Sequence, residues 1–296
     1  MTKSLNTLMN VEDYKTLVDR YDVFLFDCDG VIWLGSKVIP GAKETIEYLK
    51  SQGKKLIFVT NNSSVSRAKY AEKFQKFNIK VEEQDIFSSA YATAVYLKDV
   101  ISFDMSKYVY PIGGSGITDE LRAMGVKVLE PHFPTIKNVD DVQGIVPDPS
   151  VGAVVVGLDV EINYSKLAFA HINITKSNAL FIATNDDSTL PVQGLTFPGA
   201  GSLLSVLINS TSESPVVMGK PNQIMFDCIS KANNLDLSRT LMIGDRLDTD
   251  IEFGTRAGVD TLLVFTGVTD RELAASSPIS FTHSIQSLGD ISKLAQ

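Results

Sequence analysis

The stretch Phe24-Leu25-Phe26-Asp27-Cys28-Asp29-Gly30-Val31 decides the fold, because an apolar run ends in two carboxylates one residue apart and then a glycine. A short apolar run of this kind is typical of a buried strand. In an open α/β sheet, ligands bind at the carboxyl ends of the strands. The sequence therefore predicts that this strand delivers Asp27 and Asp29 to a binding edge of a parallel sheet.

Strand and helix patterns alternate along two blocks of the chain, residues 23–78 and 215–268. This alternation predicts parallel strands joined by crossover helices. The intervening residues 102–214 carry strand and helix patterns of their own and are too many for a loop. We therefore predict an α/β protein whose core, residues 1–101 and 215–296, is interrupted by an inserted domain over residues 102–214.

The acidic balance and the short apolar runs of the chain argue against two classes of partner. Its 35 acidic and 27 basic side chains give a formal net charge of -8, which disfavours binding to a nucleic-acid backbone. Its longest apolar runs, such as residues 153–158, are far shorter than the roughly 20 residues that cross a bilayer. Residues 1–11 lack the basic start and long apolar core of a secretory signal. We therefore predict a cytoplasmic protein that binds neither nucleic acid nor membrane.

Polar side chains follow four predicted strands. In chain order they are Asp27 and Asp29, then Thr60, Asn61 and Asn62, then Lys220, and finally Asp245 and Asp250. If the four strands are parallel, their carboxyl ends lie along one edge of one sheet. The sequence therefore predicts a single site that combines several carboxylates with one lysine and with hydroxyl and amide donors.

The carboxylates of this predicted site suit phosphoryl transfer. Asp27 is ionised at neutral pH when its pKa is ordinary, and it can then attack phosphorus to form an aspartyl-phosphate. Mg²⁺ prefers oxygen ligands and would neutralise Asp27, Asp245 and the substrate phosphate together. Asp29 is then available as a general acid toward the leaving oxygen and as a base toward water.

The remaining residues of the predicted site suit phosphate binding. Lys220 adds a positive charge for the equatorial oxygens, and Thr60 with the amide of Asn61 can donate to them. Each residue also has a structural interpretation: Thr60 could cap the following helix, and Lys220 could lie in a solvated turn. Asp245 and Asp250 could satisfy backbone donors near a helix start. Their joint occurrence at successive strand ends favours the catalytic interpretation.

These four segments resemble, in order, the four motifs of the haloacid dehalogenase-like superfamily. The resemblance rests on DCDG at 27–30, TN at 60–61, Lys220, and GDRLDTD at 244–250. The insertion resembles the C2 type of cap. Within the superfamily, the branch of p-nitrophenyl, phosphoglycolate and pyridoxal-phosphate phosphatases is similar at DCDGVIWLG (27–35), FVTNNS (58–63), ATNDD (183–187) and GKPN (219–222).

The resemblance implies a Mg²⁺-dependent phosphomonoesterase with a Rossmann-like parallel-sheet core and an inserted α/β C2 cap. It also implies a role for each matching residue. These roles are nucleophile for Asp27, acid and base for Asp29, phosphate binding for Thr60, Asn61, Asn62 and Lys220, magnesium binding for Asp27, Asp245 and the backbone carbonyl of Asp29, and support behind the metal ligands for Asp250.

The cap is expected to supply specificity for small phosphorylated metabolites. We predict that Asn185, Asp186 and Leu190 lie near the leaving group. Where the pyridoxal-phosphate branch carries a histidine before a proline, this chain has Leu190 before Pro191. This difference favours phosphoglycolate or another small acidic phosphoester, although packing within the cap is an equal explanation for Leu190. The resemblance further implies a homodimer formed through the cap.

Other functions are compatible with the same motifs. A pyridoxal-phosphate phosphatase or a phosphoprotein phosphatase would use the same fold, and a non-catalytic regulator would bind a phosphorylated ligand there. A dehalogenase is disfavoured because its chemistry needs neither magnesium nor Asp29. The glycines among residues 113–116 follow a predicted strand, as in a dinucleotide-binding loop. That loop needs a further glycine three positions after this stretch, and it is absent here, so we predict a tight turn instead.

Overall fold

The computed structural model describes residues 5–295 except 132, 134, 135, 137, 193 and 194. The strands are β1 Val23–Phe26, β2 Trp33–Leu34, β3 Lys37–Val38, β4 Lys55–Thr60, β5 Ile86–Ser88, β6 Tyr108–Ile112, β7 Lys127–Val128, β8 Val151–Val156, β9 Leu180–Ala183, β10 Thr189–Val192, β11 Leu195–Pro198, β12 Val216–Val217, β13 Thr240–Gly244, β14 Asp260–Val264 and β15 His283–Ile285. The α-helices are α1 Val11–Arg20, α2 Ala42–Ser51, α3 Arg67–Lys76, α4 Ser89–Val95, α5 Ser115–Ala123, α6 Tyr164–Lys176, α7 Ala200–Thr211, α8 Gln223–Asn233, α9 Glu252–Ala257 and α10 Arg271–Ser276.

The chain divides into two compact units. The first comprises Met1–Thr60, Ala68–Phe87 and Lys220–Gln296, and the second comprises Asn61–Arg67 and Ser88–Gly219. The predicted cap, residues 102–214, lies inside the second unit, and its exact limits stay a prediction.

The first unit is built on a six-stranded sheet in the order β15-β14-β13-β1-β4-β5. The pairs β1–β13, β1–β4, β13–β14 and β14–β15 are all parallel. Every residue of β1 and β13 is buried, which is typical of parallel strands that are covered on both faces. The sequence predicts strands over residues 23–26, 55–60 and 240–244, and β1, β4 and β13 have these limits.

Helix α2 shows why helices cover this sheet. Its buried residues are Ala42, Thr45, Ile46 and Leu49, a spacing that places all four on one face of the helix. Gly53 follows the helix with a φ of +71°, a left-handed conformation that glycine adopts without strain. A glycine at this position therefore lets the chain turn away from the end of the helix.

The second unit is built on a five-stranded sheet in the order β12-β9-β8-β6-β7, in which every neighbouring pair is parallel. Its core includes Tyr110 and Phe169, whose rings meet edge to face with centroids 4.9 Å apart. An antiparallel hairpin of β10 and β11 and the helix α7 belong to this unit as well. Neither element was predicted from the sequence.

One prediction about the sheets is wrong. The strand before Lys220 was expected to lie in the same sheet as β1, β4 and β13, but β12 pairs with β9 in the five-stranded sheet. Only two residues of β12 pair, and a pattern this short carries no information about its partner. The chain enters the first unit at Lys220 without a preceding strand of the six-stranded sheet.

No helix in the described part of the chain is long and apolar enough to span a membrane.

Candidate active site

Three of the four predicted strand ends lie side by side. Strands β13, β1 and β4 are neighbours in the six-stranded sheet, and their registers align Phe26 with Ile243 and with Phe58. Asp27 and Asp245 directly follow β1 and β13, and Thr60 ends β4. Because the strands are parallel, these three residues come to one edge of the sheet.

Lys220 joins this edge although it follows no strand of the sheet. Its Nζ lies 2.5 Å from Oδ1 of Asp27 and 2.8 Å from Oδ1 of Asp250, and it donates to the carbonyl of Val59 at 2.9 Å. Its side chain is 2% exposed, so this ammonium is held by charges and a carbonyl rather than by solvent. The alternative of a solvated turn residue is therefore wrong.

Asp250 supports the edge from two sides. Its Oδ2 accepts hydrogen bonds from the backbone N–H groups of Asp245 and Arg246 at 3.2 and 3.1 Å, while its Oδ1 binds Lys220. A Cβ built on Gly244 would lie 2.0 Å from the Cβ of Asp250, so only glycine lets this side chain approach the end of β13. Asp250 thus fixes the turn that presents Asp245.

Asp27, Asp245 and Asp250 form a cluster that could hold a metal ion, with one carboxylate oxygen from each lying within 4.8 Å of the others. Three carboxylates and one ammonium leave two uncompensated negative charges when all are ionised. Hard oxygen donors at this spacing suit a divalent cation such as Mg²⁺. The donor set therefore fits the metal that the sequence predicts.

Burial and the neighbouring charges shift the pKa values of the cluster. Burial, with the charge of Asp250 second, raises the pKa of Asp245 to about 7. Burial also raises the pKa of Asp27 well above its ordinary value, against the opposing effect of Lys220. Burial alone would lower the pKa of Lys220, but the charges of Asp250 and Asp27 outweigh it and raise that pKa. Lys220 therefore stays protonated, and a bound cation would favour ionised aspartates.

Gly30 is required by the close approach of Asp245. Its φ is +87°, and a Cβ at this position would lie 2.5 Å from Oδ2 of Asp245. That same oxygen accepts a hydrogen bond from the backbone N–H of Val268 at 2.6 Å. The turn after β1 and the segment after β14 thus enclose the Asp245 carboxylate together.

Asp29 is placed differently from Asp27. Its side chain is 54% exposed, and its Oδ1 accepts a hydrogen bond from Nε1 of Trp33 at 2.8 Å. Nζ of Lys73 lies 3.8 Å from the same oxygen. The Asp29 carboxylate is not a member of the acidic cluster, which contains Asp250 instead. Its predicted contribution to metal binding through the backbone carbonyl stays a prediction.

The predicted phosphate binders fall into both units. Thr60 belongs to the first unit and its Oγ1 lies 3.3 Å from the hydroxyl of Tyr70. Asn61 belongs to the second unit, where its amide donates to Oδ2 of Asp187 at 3.1 Å. Oδ1 of Asn62 accepts from the backbone N–H of Ser64 at 2.8 Å. The roles of these residues toward phosphate stay predictions.

The structure places the predicted cap residues in three environments. Asn185 is buried and donates to the backbone carbonyl of Asn61 at 2.9 Å. Asp186 is exposed, and Leu190 is half-buried in β10 opposite Phe197. Sequence reasoning missed Asp187, which contacts Asn61. It also missed Trp33 and Lys73, although a tryptophan four residues after Asp29, the only one in the chain, is a visible signal.

Two family models match the chain. Residues 24–127 match the haloacid dehalogenase-like hydrolases, and residues 217–291 match a second family described as HAD-hydrolase-like. The matched ranges contain Asp27, Lys220 and Asp245. They leave out most of the five-stranded sheet.

Curated relatives and solved structures match over nearly the whole length. A 4-nitrophenylphosphatase from Schizosaccharomyces pombe is 40% identical over 97% of this chain and 99% of its own. Phosphoglycolate phosphatase 2 from Arabidopsis thaliana is 42% identical over 98% of each chain. A glycerol phosphate phosphatase from Mycobacterium tuberculosis, solved in complex with magnesium, has a TM-score of 0.78 at 28% identity and covers 94% of this chain and 79% of its own.

Proposed function

Because this chain belongs to the haloacid dehalogenase-like hydrolases and is a phosphatase, we propose that it hydrolyses small phosphorylated metabolites through an aspartyl-phosphate on Asp27. The resemblance stated from the sequence is confirmed by these relatives. The fold that it implies, a parallel-sheet core with an inserted α/β domain, is confirmed as well.

The observation that carries the proposal is the buried cluster around Asp27. A carboxylate at a strand end, an ammonium 2.5 Å from it and two further carboxylates close to it would suit a phosphate group and a divalent cation. Such a combination has little structural purpose, because buried charges are costly unless they are paired. The proposal explains why the chain keeps an excess of carboxylates there.

A divalent metal belongs to this family of phosphatases, and we propose that it is Mg²⁺. The carboxylates of Asp27 and Asp245 would hold it, with Asp250 binding Lys220 and orienting the turn behind Asp245. When bound, the cation would supply charge neutralisation for the carboxylates and the substrate phosphate. The magnesium complex of the mycobacterial relative supports this choice.

The protein's own residues would perform the remaining steps. Asp27 attacks phosphorus, and Lys220 holds the nucleophile by its Oδ1 and offers charge to the phosphate oxygens. Asp29 protonates the leaving oxygen and then takes a proton from the water that hydrolyses the aspartyl-phosphate. Thr60 donates to the phosphate from the end of β4. The exposure of Asp29 supports its access to a substrate.

We propose phosphoglycolate or a similar small acidic phosphoester as the substrate. Relatives named for phosphoglycolate and for glycerol 3-phosphate support this class. Leu190 cannot form a hydrogen bond to a pyridine substituent, which argues against pyridoxal phosphate. Contacts of Asn185, Asp186 and Leu190 with the leaving group, a homodimer through the cap and a cytoplasmic location stay predictions.

A substrate panel with a matched variant tests the proposal. Phosphoglycolate, glycerol 3-phosphate, pyridoxal phosphate, a phosphopeptide and 4-nitrophenyl phosphate are compared by kcat/KM with Mg²⁺ and with a chelator. We expect phosphoglycolate to lead and the Asp27→Asn variant to lose at least roughly a thousandfold in kcat, as expected for the loss of a nucleophile. Full activity in that variant would contradict the mechanism. Preference for pyridoxal phosphate or the peptide would contradict the substrate class.

A further inference from the structure

Trp33, at the start of β2, packs against one face of helix α3 and against Phe77, which directly follows that helix. Tyr70, Phe74 and Phe77 recur three to four residues apart and pack around the indole of Trp33, with ring centroids at 6.2, 4.8 and 5.6 Å. Nζ of Lys73 lies 4.0 Å from the centre of the same indole ring. Trp33 has no solvent exposure, so its ring has one fixed orientation.

The fixed indole holds an otherwise exposed carboxylate. Nε1 of Trp33 donates to Oδ1 of Asp29 at 2.8 Å, and the ammonium of Lys73 approaches the same oxygen at 3.8 Å. An exposed aspartate normally samples several rotamers. Here an indole donor from the buried core and a cation both lie at the same one of its two oxygens.

Both contacts fall on Oδ1. Among the described residues, Oδ2 of Asp29 has no hydrogen-bond partner. The two contacts therefore hold the carboxyl group by one oxygen only. This arrangement is what a proton donor to a leaving oxygen requires, because catalytic groups must be held in the productive geometry before the reaction.

We propose that Trp33 and Lys73 are positioning residues, which hold Asp29 by Oδ1 so that Oδ2 delivers the proton to the leaving oxygen. The inference rests on the proposed function. In the step concerned, the bond from phosphorus to the leaving oxygen breaks and a bond from Asp27 to phosphorus forms. The proton on Oδ2 of Asp29 moves to the leaving oxygen, so an alcohol departs and Asp29 is left as a carboxylate.

The positioning of Asp29 can be tested by comparing kcat/KM for substrates whose leaving groups differ in their need for a proton. Phenyl phosphate and 4-nitrophenyl phosphate are similar in size, but nitrophenolate leaves readily without a proton and phenolate does not. The parameter kcat/KM reports transfer of the phosphoryl group to the enzyme and excludes the later hydrolysis of the aspartyl-phosphate. Misplacement of the acid should therefore reduce kcat/KM for phenyl phosphate and spare 4-nitrophenyl phosphate.

The test variants are Trp33→Phe, which removes the indole donor and keeps a ring, and Lys73→Met. For Trp33→Phe we expect a loss of about tenfold with phenyl phosphate and less than about twofold with 4-nitrophenyl phosphate. The loss is smaller than the roughly 100- to 10,000-fold effect of a general acid, because the Asp29 carboxyl group is still present. Lys73→Met should show the same selectivity with a smaller loss. Lys76→Met, an exposed position on the same helix, is the matched control and should change neither value.

A double variant separates positioning from stability. Asp29→Asn should show the same selective loss at larger size, and adding Trp33→Phe to it should cause no further loss, because the indole acts through Asp29. Phe226→Leu, a core change far along the chain, should lower the unfolding midpoint without changing the ratio of the two substrates. Equal losses with both substrates, or additive losses in the double variant, would overturn the inference. Wild-type protein that hydrolyses neither substrate would instead contradict the proposed function itself.

Discussion

The two parallel sheets of this protein use their carboxyl-terminal edges in opposite ways. The edge of the six-stranded sheet carries Asp27 and Asp245, with Lys220 and Asp250 buried beside them. The corresponding edge of the five-stranded sheet carries no comparable charge cluster among the described residues. There, Thr184 and Asn185 follow β9 and bind neutral groups.

The five-stranded sheet uses its edge to hold a segment of its own chain. Residues 61–67 lie against this edge, where Oγ of Ser63 is 2.9 Å from Oγ1 of Thr184. A Cβ on Gly114 would lie 2.6 Å from the carbonyl oxygen of Ser64. A Cβ on Gly116 would lie 2.4 Å from the carbonyl carbon of Val65. Glycines after β6 are therefore required by the approach of a backbone. The comparison shows that parallel topology only provides an edge, and the side chains there decide whether it binds a charged ligand or the protein's own chain.

The largest expected effect concerns the ammonium at the charged edge. Lys220→Met leaves three buried carboxylates without their cation, and breaking a buried ion pair in this way costs about 3–5 kcal/mol. We expect the free energy of unfolding in urea to fall by this amount with a chelator present, and phosphatase activity to be lost. Mg²⁺ should restore part of the stability, because it neutralises the same carboxylates. Unchanged stability would show that the cluster is not held together by Lys220.

A smaller effect on stability is expected from the binding of Mg²⁺, and the size of this effect should depend on pH. In the metal-free folded protein the pKa of Asp245 is raised to about 7 from an ordinary 3.8, so the folded state binds this proton more tightly than the unfolded state does. The metal-free protein should therefore lose stability as the pH rises from about 4 through 7.

Mg²⁺ competes with that proton, so its stabilising effect should be small at low pH and grow toward pH 8. At a concentration 100 times its Kd, the gain is about 2.7 kcal/mol. Thermal unfolding with and without Mg²⁺ measures it. Asp245→Asn should abolish the gain, and an equal gain in that variant would place the ion elsewhere.

The smallest effect on activity is expected for a substitution at the edge of the five-stranded sheet. Asp187→Asn replaces one charge-assisted hydrogen bond from Asn61 by a neutral one, and the two kinds of bond differ by about 1 kcal/mol. We expect a modest decrease in kcat/KM, below about tenfold, and no change in the Mg²⁺ concentration that gives half-maximal activity. A shift in the metal requirement would contradict the assignment of the metal to the aspartates of the six-stranded sheet alone.

Local sequence patterns were sufficient to predict three of the strands that end at the charged edge of the six-stranded sheet. Apolar runs ending in Asp27, Thr60 and Asp245 predicted three buried strands, and the structure places these strands side by side. Burial on both faces forces such runs to be continuous, so their limits are visible in the sequence. The alternation of strands and helices also predicted the inserted unit, although its hairpin and the helix α7 lack a comparable signal.

What the sequence by itself determined is the chemistry of the strand ends and the family to which the chain belongs. Only the tertiary structure decided that Lys220 reaches Asp27 after a strand of the other sheet, that Asp250 joins the cluster in place of the Asp29 side chain, and that Trp33 holds Asp29. These contacts join residues whose separation along the chain varies from four to 193 positions. Such contacts depend on which surfaces meet after folding, and no local propensity encodes them.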